Sequence, residues 1–325
     1  MQYRRLGKTG YEVSEIGLGT WQLGGDFGAV EAETAEEILR LAQRAGVNFW
    51  DTADVYGGGL SESRIGAELR SAENVLVATK VGRSAELFPD KYSRAGIEAS
   101  LRGSAMRLGR ETIDLAQLHC VPRAVLEDGA VFGWLDDLKR DGLVRHWGAS
   151  VETIAEAMIC LRQPGLSTLQ IIFNIFRQDA ADELLAAAQE ADVGIIVRLP
   201  LASGLLSGKF GKEHRFAAQD HRNYNRDGQA FSVGETFSGI PFETGVDLVA
   251  ELATLVPEGW PLAHVALRWI LDHPAVSTVI AGVSRPAQLQ DNVAAAERPE
   301  LPEKTMEALR AFYARKVRPR VRGEI

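Results

Sequence analysis

Ile16-Gly17-Leu18-Gly19-Thr20-Trp21-Gln22 is the stretch that decides between two folds. An open, doubly wound sheet that binds a dinucleotide carries G-x-G-x-x-G directly after its first strand. Its glycines let the backbone approach a pyrophosphate and let the helix pack on the sheet. Here Gly17 and Gly19 keep the first spacing, but Gln22 stands where the third glycine belongs. Outward from this run the chain repeats one rhythm. Short apolar runs lie at 16–20, 47–51, 75–80, 113–119, 144–150, 168–174, 194–200 and 276–281. Segments of helical period separate them, beginning at 34–45, where Ile38, Leu39, Leu41 and Ala42 share one face. Others lie at 61–70, 94–108, 133–140, 153–161, 181–190 and 261–272, and two more, 286–296 and 302–314, follow the last run. A continuous apolar run is how a parallel strand covered on both faces reads. Eight such β-α units predict an α/β protein closed into a (β/α)₈ TIM barrel.

Two features decorate that barrel. Residues 3–13 read as a β-hairpin turning at Gly7-Lys8-Thr9-Gly10. Residues 202–243 interrupt the rhythm with Gly, Arg, Asn, Asp and Ser, predicting a long loop after strand 7. A loop of that length is a functional lid or a mobile insertion. Barrel active sites form at the strands' C-terminal ends, which is where this loop emerges. The 325 residues suit a single domain, 1–325.

The bulk numbers exclude several classes. A net charge of −8 without a block of like charges repels polyanions, so no nucleic-acid partner is expected. Cys120 and Cys160 are the only cysteines and lie in no ligand spacing, so neither a disulfide framework nor a metal site is expected. No apolar run is long enough to span a membrane, and the N-terminus lacks an apolar targeting core. The expected compartment is cytoplasmic. Self-association is left open.

The chemistry concentrates at strand ends. Three consecutive strands finish on Asp51, Lys80 and His119, and Tyr56 follows Asp51 in a glycine-flanked loop. On a barrel these four side chains meet at one rim. A phenol titrates near ~10 and gives up its proton reluctantly at neutral pH. A neighbouring ammonium such as Lys80 is expected to lower that value. Asp51 can keep Lys80 charged, and a neutral His119 can hold a carbonyl oxygen as charge develops. Singly, each residue also reads as a cap, a solvated strand end or loop packing.

The same residues resemble the aldo-keto reductase superfamily over nearly the whole chain. The likeness is carried by GLGTW at 17–21, AGVNFWDTADVYGGGLSESRIGAEL at 45–69, VLVATKVG around Lys80 and IDLAQLHCVP around His119. It implies an NADPH-dependent reductase of aldehydes or ketones, with NAD(H) as an alternative cofactor. The implied catalytic residues are Asp51, Tyr56, Lys80 and His119, with Tyr56 as general acid. Cofactor contacts follow by the same likeness. Thr20, Trp21 and Asp51 lie beside the nicotinamide, Ser150 and Gln170 hold its carboxamide, and Arg198 takes the place of a stacking aromatic residue. Val151 stands where the family has Asn, so one hydrogen bond is absent or replaced. A cation at Arg198 implies discrimination against the oxidised, positive nicotinamide. Pro200, Leu201, Ser203, Gly204 and Lys209 resemble the pyrophosphate loop. Gly282, Ser284, Arg285, Gln288, Asp291 and Asn292 resemble the adenosine site, Ser284 and Arg285 suiting a 2′-phosphate. Trp21, Tyr56, Phe88, His119 and Trp147 are the expected substrate pocket, left open by a short basic tail. A second reading stays alongside, since potassium-channel beta subunits resemble the family and act as non-catalytic nucleotide-binding regulators.

Overall fold

The computed structural model describes residues 1–70, 72 and 74–325. A two-stranded antiparallel hairpin, β1 (Tyr3–Arg5) and β2 (Glu12–Ser14), opens the chain. Then come β3 (Ile16–Gly19), β4 (Phe49–Asp51), β5 (Leu76–Val81), β6 (Ile113–His119), β7 (Val144–Ser150), β8 (Thr168–Ile172), β9 (Gly194–Arg198) and β10 (Val276–Gly282). These eight pair in parallel and close as β10-β3-β4-β5-β6-β7-β8-β9. The predicted barrel and hairpin are therefore both present.

Helices cover the outside. They are α1 (Ala32–Arg44), α2 (Leu60–Leu69), α3 (Arg94–Leu108), α4 (Arg123–Asp128), α5 (Ala130–Arg140), α6 (Ile154–Leu161), α7 (Leu184–Glu190), α8 (His221–Tyr224), α9 (Phe242–Leu252), α10 (Leu262–Leu271), α11 (Pro286–Ala296) and α12 (Glu303–Phe312). The sequence rhythm missed α4, α8 and α9. The first two are a turn or so long, too short to show a period. α9 begins where the glycine- and serine-rich stretch ends, and that composition masked its start. None of the helices is long and apolar enough to cross a membrane.

The hairpin plugs the barrel floor. Leu6 and Val13 pack in one cluster with Phe49, Ala78, Leu115, Ile196 and Ile280, all turned into the barrel. Gly7 makes that docking feasible, because a Cβ there would sit 2.2 Å from the Gly194 nitrogen. Side chains alternate along a strand, so the residue two further on faces the same interior. Two further on stand Asp51, Lys80, Gln117, Arg198 and Gly282. The barrel thus switches from an apolar to a polar layer in one step, near its C-terminal rim.

The long loop is built rather than bare coil. The Asn225 carboxamide oxygen accepts from the backbone of Ala230 and Phe231 at 2.9 Å, and its amide donates to the Thr236 hydroxyl at 3.0 Å. Ser203 accepts from the Phe237 nitrogen at 3.1 Å and donates to the Glu235 carbonyl at 3.2 Å. The basic tail braces this loop from outside, Arg322 donating to the Gly239 carbonyl at 2.9 Å and pairing with Asp227 at 2.7 Å. Across the mouth, the His221 backbone nitrogen donates to the Asp26 carbonyl at 3.3 Å.

His221 anchors that crossing. Its ring is fully buried, with ring centroids 4.3 Å from Phe27 and 4.7 Å from Trp21. Neither ring nitrogen has a hydrogen-bond partner among the described residues. Burial outweighs the nearby Asp220 carboxylate and pushes the imidazole down to about 4. The unfolded chain then takes up a proton near 6.5 while the folded one refuses it. The stability at stake is fully present above pH 6.5 and is lost progressively as pH falls towards 4, by on the order of 3 kcal/mol. Denaturant melts of wild type and His221→Phe across that window should show the wild type losing stability more steeply. Parallel losses would refute this account of the loop.

Candidate active site

Asp51 ends β4, and the chain leaves the barrel as a tight loop to α2. Gly57 lies against Gly24 so closely that a Cβ on it would come 2.3 Å from the Gly24 carbonyl oxygen, and its φ is +58°. That contact and a hydrogen bond from the Tyr56 nitrogen to the Ala53 carbonyl at 3.2 Å turn Tyr56 back over the rim. Strand pairing brings the others level, Asp51 opposite Ala78 and Lys80 opposite Gln117.

The four candidate residues meet. The Lys80 ammonium donates to Asp51 Oδ1, to the Thr52 carbonyl at 2.9 Å and to the Tyr56 hydroxyl at 3.2 Å. The ring centroids of Tyr56 and His119 are 5.7 Å apart, nearly perpendicular, and Trp21 stacks on Tyr56 from the other side at 5.7 Å. Asp51 Oδ2 accepts from Gln170 at 2.7 Å and from Gln117 at 3.2 Å. Gln117 escaped the sequence reading, although its place two residues before His119 puts it on the same face of β6.

Electrostatics corrects one expectation. Burial raises the Tyr56 phenol above its ordinary value, and the Lys80 charge offsets this only in part. The lowering expected from Lys80 alone fails because phenol and ammonium are desolvated together. Burial pulls Lys80 down, but Asp51 and then Tyr56 together more than restore it, so the net shift is upward and the ammonium stays charged. Burial first, then the charges of Arg83, Lys80 and Arg198, hold His119 well below its ordinary 6.5. The imidazole is neutral, as expected of a hydrogen-bonding group rather than an acid.

A single cleft of about 880 Å³ connects this cluster to the end of β10. Thr20, Trp21, Phe88, Ser150, Gln170, Arg198, Pro200, Leu201, Ser203, Gly204 and Lys209 line it. Gly282, Ser284, Arg285, Gln288, Asp291 and Asn292 line its far end. Trp147 does not. Strand alternation puts Trp147 on the opposite face of β7 from Ser150. It is fully buried behind the barrel, bonded to Asp136 at 2.7 Å and stacked on Phe132 at 5.8 Å. Trp147 is a core residue, and the assignment to the substrate pocket is corrected.

Arg198 also differs from expectation, because its charge is not naked. It pairs with Glu235 of the long loop and donates to the Val151 carbonyl at 3.0 Å. The backbone of Val151 thus helps to hold a guanidinium. Arg83 pairs with Glu152 at 2.6 Å on the same wall. Cys120, Glu152 and Glu235 bring potential ligand atoms within 4.8 Å of one another, but a guanidinium holds each carboxylate. Nothing local to Arg198 points to Glu235, which lies 37 residues beyond it.

The far end suits a dinucleotide. Ala202, Ser203 and Gly204 all have positive φ, a sharp turn held by the Ala202 and Gly204 nitrogens donating to the Leu199 and Leu201 carbonyls at 3.0 and 2.8 Å. Among the described residues the Lys209 ammonium and the Arg285 guanidinium have no ion-pair partner, and both face the cleft. Gln288 accepts from the backbone nitrogens of Ser284 (2.8 Å) and Arg285 (3.0 Å), so it braces this turn at the start of α11. Asp291 bonds His264 at 2.9 Å.

Residues 15–314 match the model of the Aldo/keto reductase family. The chain belongs to this family. It is 30% identical to Aldo-keto reductase YhdN of Bacillus subtilis over 89% of this chain and 87% of that protein. It is 29% identical to a probable voltage-gated potassium channel subunit beta of Oryza sativa, covering 91% of each. Its fold superposes on the glycerol dehydrogenase AKR11B4 of Gluconobacter oxydans with a TM-score of 0.79 at 27% identity, covering 97% of this chain and 96% of that one. Family and relatives support a carbonyl-reducing oxidoreductase that binds a nicotinamide cofactor.

The pH profile tests the electrostatics. Tyr56 is held protonated and His119 neutral through the neutral range, so kcat/KM for carbonyl reduction should stay flat through pH 6.5 and fall only in the alkaline range above the ordinary tyrosine value of 10.0. An acid limb with its midpoint near 6.5 would contradict the neutral imidazole.

Proposed function

We propose that this protein is an NADPH-dependent reductase of small aldehydes or ketones and that Tyr56 supplies the proton. The observation that carries this reading is the buried chain Asp51–Lys80–Tyr56, open at the phenol to the cleft. The reduced nicotinamide, when bound, supplies a hydride to the carbonyl carbon. The Tyr56 hydroxyl gives its proton to the carbonyl oxygen, and the product is an alcohol. Lys80 stabilises the tyrosinate that remains, while Asp51, held by Gln117 and Gln170, fixes Lys80. A neutral His119 donates a hydrogen bond to the carbonyl oxygen without competing for its proton. Phe88 and Trp21 provide the apolar sides of the substrate cleft. Ser150 and Gln170 hold the carboxamide, Lys209 meets the diphosphate, and Ser284 with Arg285 receives a 2′-phosphate. That last contact favours NADPH over NADH.

The reading as a regulatory subunit rests on the relative named as a potassium channel subunit beta. Turnover separates the two. Fluorescence titration should show NADPH binding more tightly than NADH. Arg285→Ala should weaken NADPH by roughly tenfold and leave NADH nearly unchanged, the loss of one charge-assisted contact. With a panel of aldehydes, Tyr56→Phe should lower kcat by a factor of 10² to 10⁴, in the range of a lost general acid, while NADPH affinity holds. Absence of turnover in the wild type despite tight NADPH binding would favour the regulatory reading. Absence of binding would remove both.

A further inference from the structure

We propose that Glu235, delivered by the long loop, is the positioning residue that balances Arg198 and lets the closed site accept oxidised and reduced nicotinamide alike. This rests on the proposed function and on the expectation that Arg198, which lines the cleft, takes the place of the aromatic residue stacked on the nicotinamide ring. Arg198 stands in the polar layer of the barrel, 8% exposed, and a buried guanidinium requires a counter-charge. The groups around it leave one choice. Cys120 lies 3.6 Å away, but burial pushes its thiol up to about 11, so it is neutral. Glu152 is held by Arg83, and His119 carries no charge. Glu235 alone among the paired carboxylates here is matched to Arg198, and its ion pair is buried on both sides.

Glu235 belongs to a different segment from the barrel wall. Its backbone carbonyl accepts from Ser203 at 3.2 Å, and Ser203 in turn accepts from the Phe237 nitrogen at 3.1 Å. The carboxylate therefore reaches Arg198 only when the loop is seated on the turn after β9. An unbalanced Arg198 would repel the oxidised nicotinamide, which carries a positive charge, and tolerate the neutral reduced one. With Glu235 in place the local charge is near zero, and the discrimination expected from Arg198 alone disappears. The loop thus closes the cleft and cancels a charge in the same movement.

Dissociation constants for NADPH and NADP⁺, measured by fluorescence and by competition, test this on four proteins. They are wild type, Glu235→Gln, Arg198→Met and the double variant. Glu235→Gln should weaken NADP⁺ relative to NADPH by roughly tenfold or more, since it unmasks one buried charge. Arg198→Met should move the ratio the opposite way, and the double variant should return towards the wild type. A ratio within about twofold of wild type in both single variants would overturn the proposal, as would a double variant as displaced as Glu235→Gln. A merely structural Glu235 would lower both affinities together. Should Glu235→Gln fail to fold, the sign of the shift in Arg198→Met decides. A wild type that binds neither nucleotide would instead overturn the underlying functional reading.

Discussion

The pair between Lys80 and Asp51 is the constraint around which the mouth of the barrel is organised. Both side chains are essentially excluded from solvent. Two buried charges cost several kcal/mol each in lost hydration, and their attraction repays that only when every remaining donor and acceptor is met. Here the Thr52 carbonyl and the Tyr56 hydroxyl take the other ammonium protons, and Gln117 and Gln170 complete the carboxylate. Those partners come from three strands or strand ends, β4, β6 and β8. They can converge only because the barrel is closed and its register is fixed, so the fold and the chemistry impose the same requirement.

Charge is handled in pairs at the mouth of the barrel. Asp51 answers Lys80, Glu235 answers Arg198, and Glu152 answers Arg83. His119 lies among these cations and responds by staying neutral. Tyr56 keeps its proton because burial raises it more than Lys80 lowers it. The result is a mouth of low net charge holding one proton donor and one neutral imidazole, whose Nδ1 has no partner among the described residues. Trp21 and Phe231 pack around His221 at one side of that mouth.

Most of this architecture was legible because parallel strands write themselves as continuous apolar runs, and the polar residue ending each run marks the rim. Asp51, Lys80 and His119 could be read that way, and the glycines after Tyr56 announced its loop. Trp147 was misread by weighing residue type above parity, for an odd offset of three from Ser150 turns it to the helices. Gln117 was overlooked although its even offset from His119 pointed inward. Glu235 is a different case. Its partner is distant in sequence, the segment between has no period, and nothing local to either residue signals the pair. The fate of the Tyr56 proton was equally hidden, because desolvation depends on everything packed around the phenol and not on its nearest cation.

The covering loop ties these levels together. It is anchored at Asp26 through the His221 backbone, at Ser203 through Glu235 and Phe237, and at Gly239 through the tail residue Arg322. The first of those anchors is an ordinary backbone–backbone hydrogen bond, worth about a kilocalorie and readily exchanged for water. The ion pair that Glu235 makes is of another kind. Opening the loop would strand a guanidinium whose Nε already has no partner among the described residues. Breaking one side of a buried pair leaves an uncompensated charge and is strongly unfavourable. Loosening this loop therefore requires water to reach Arg198 as the pair breaks, which ties the loop's seating to the charge balance of the mouth.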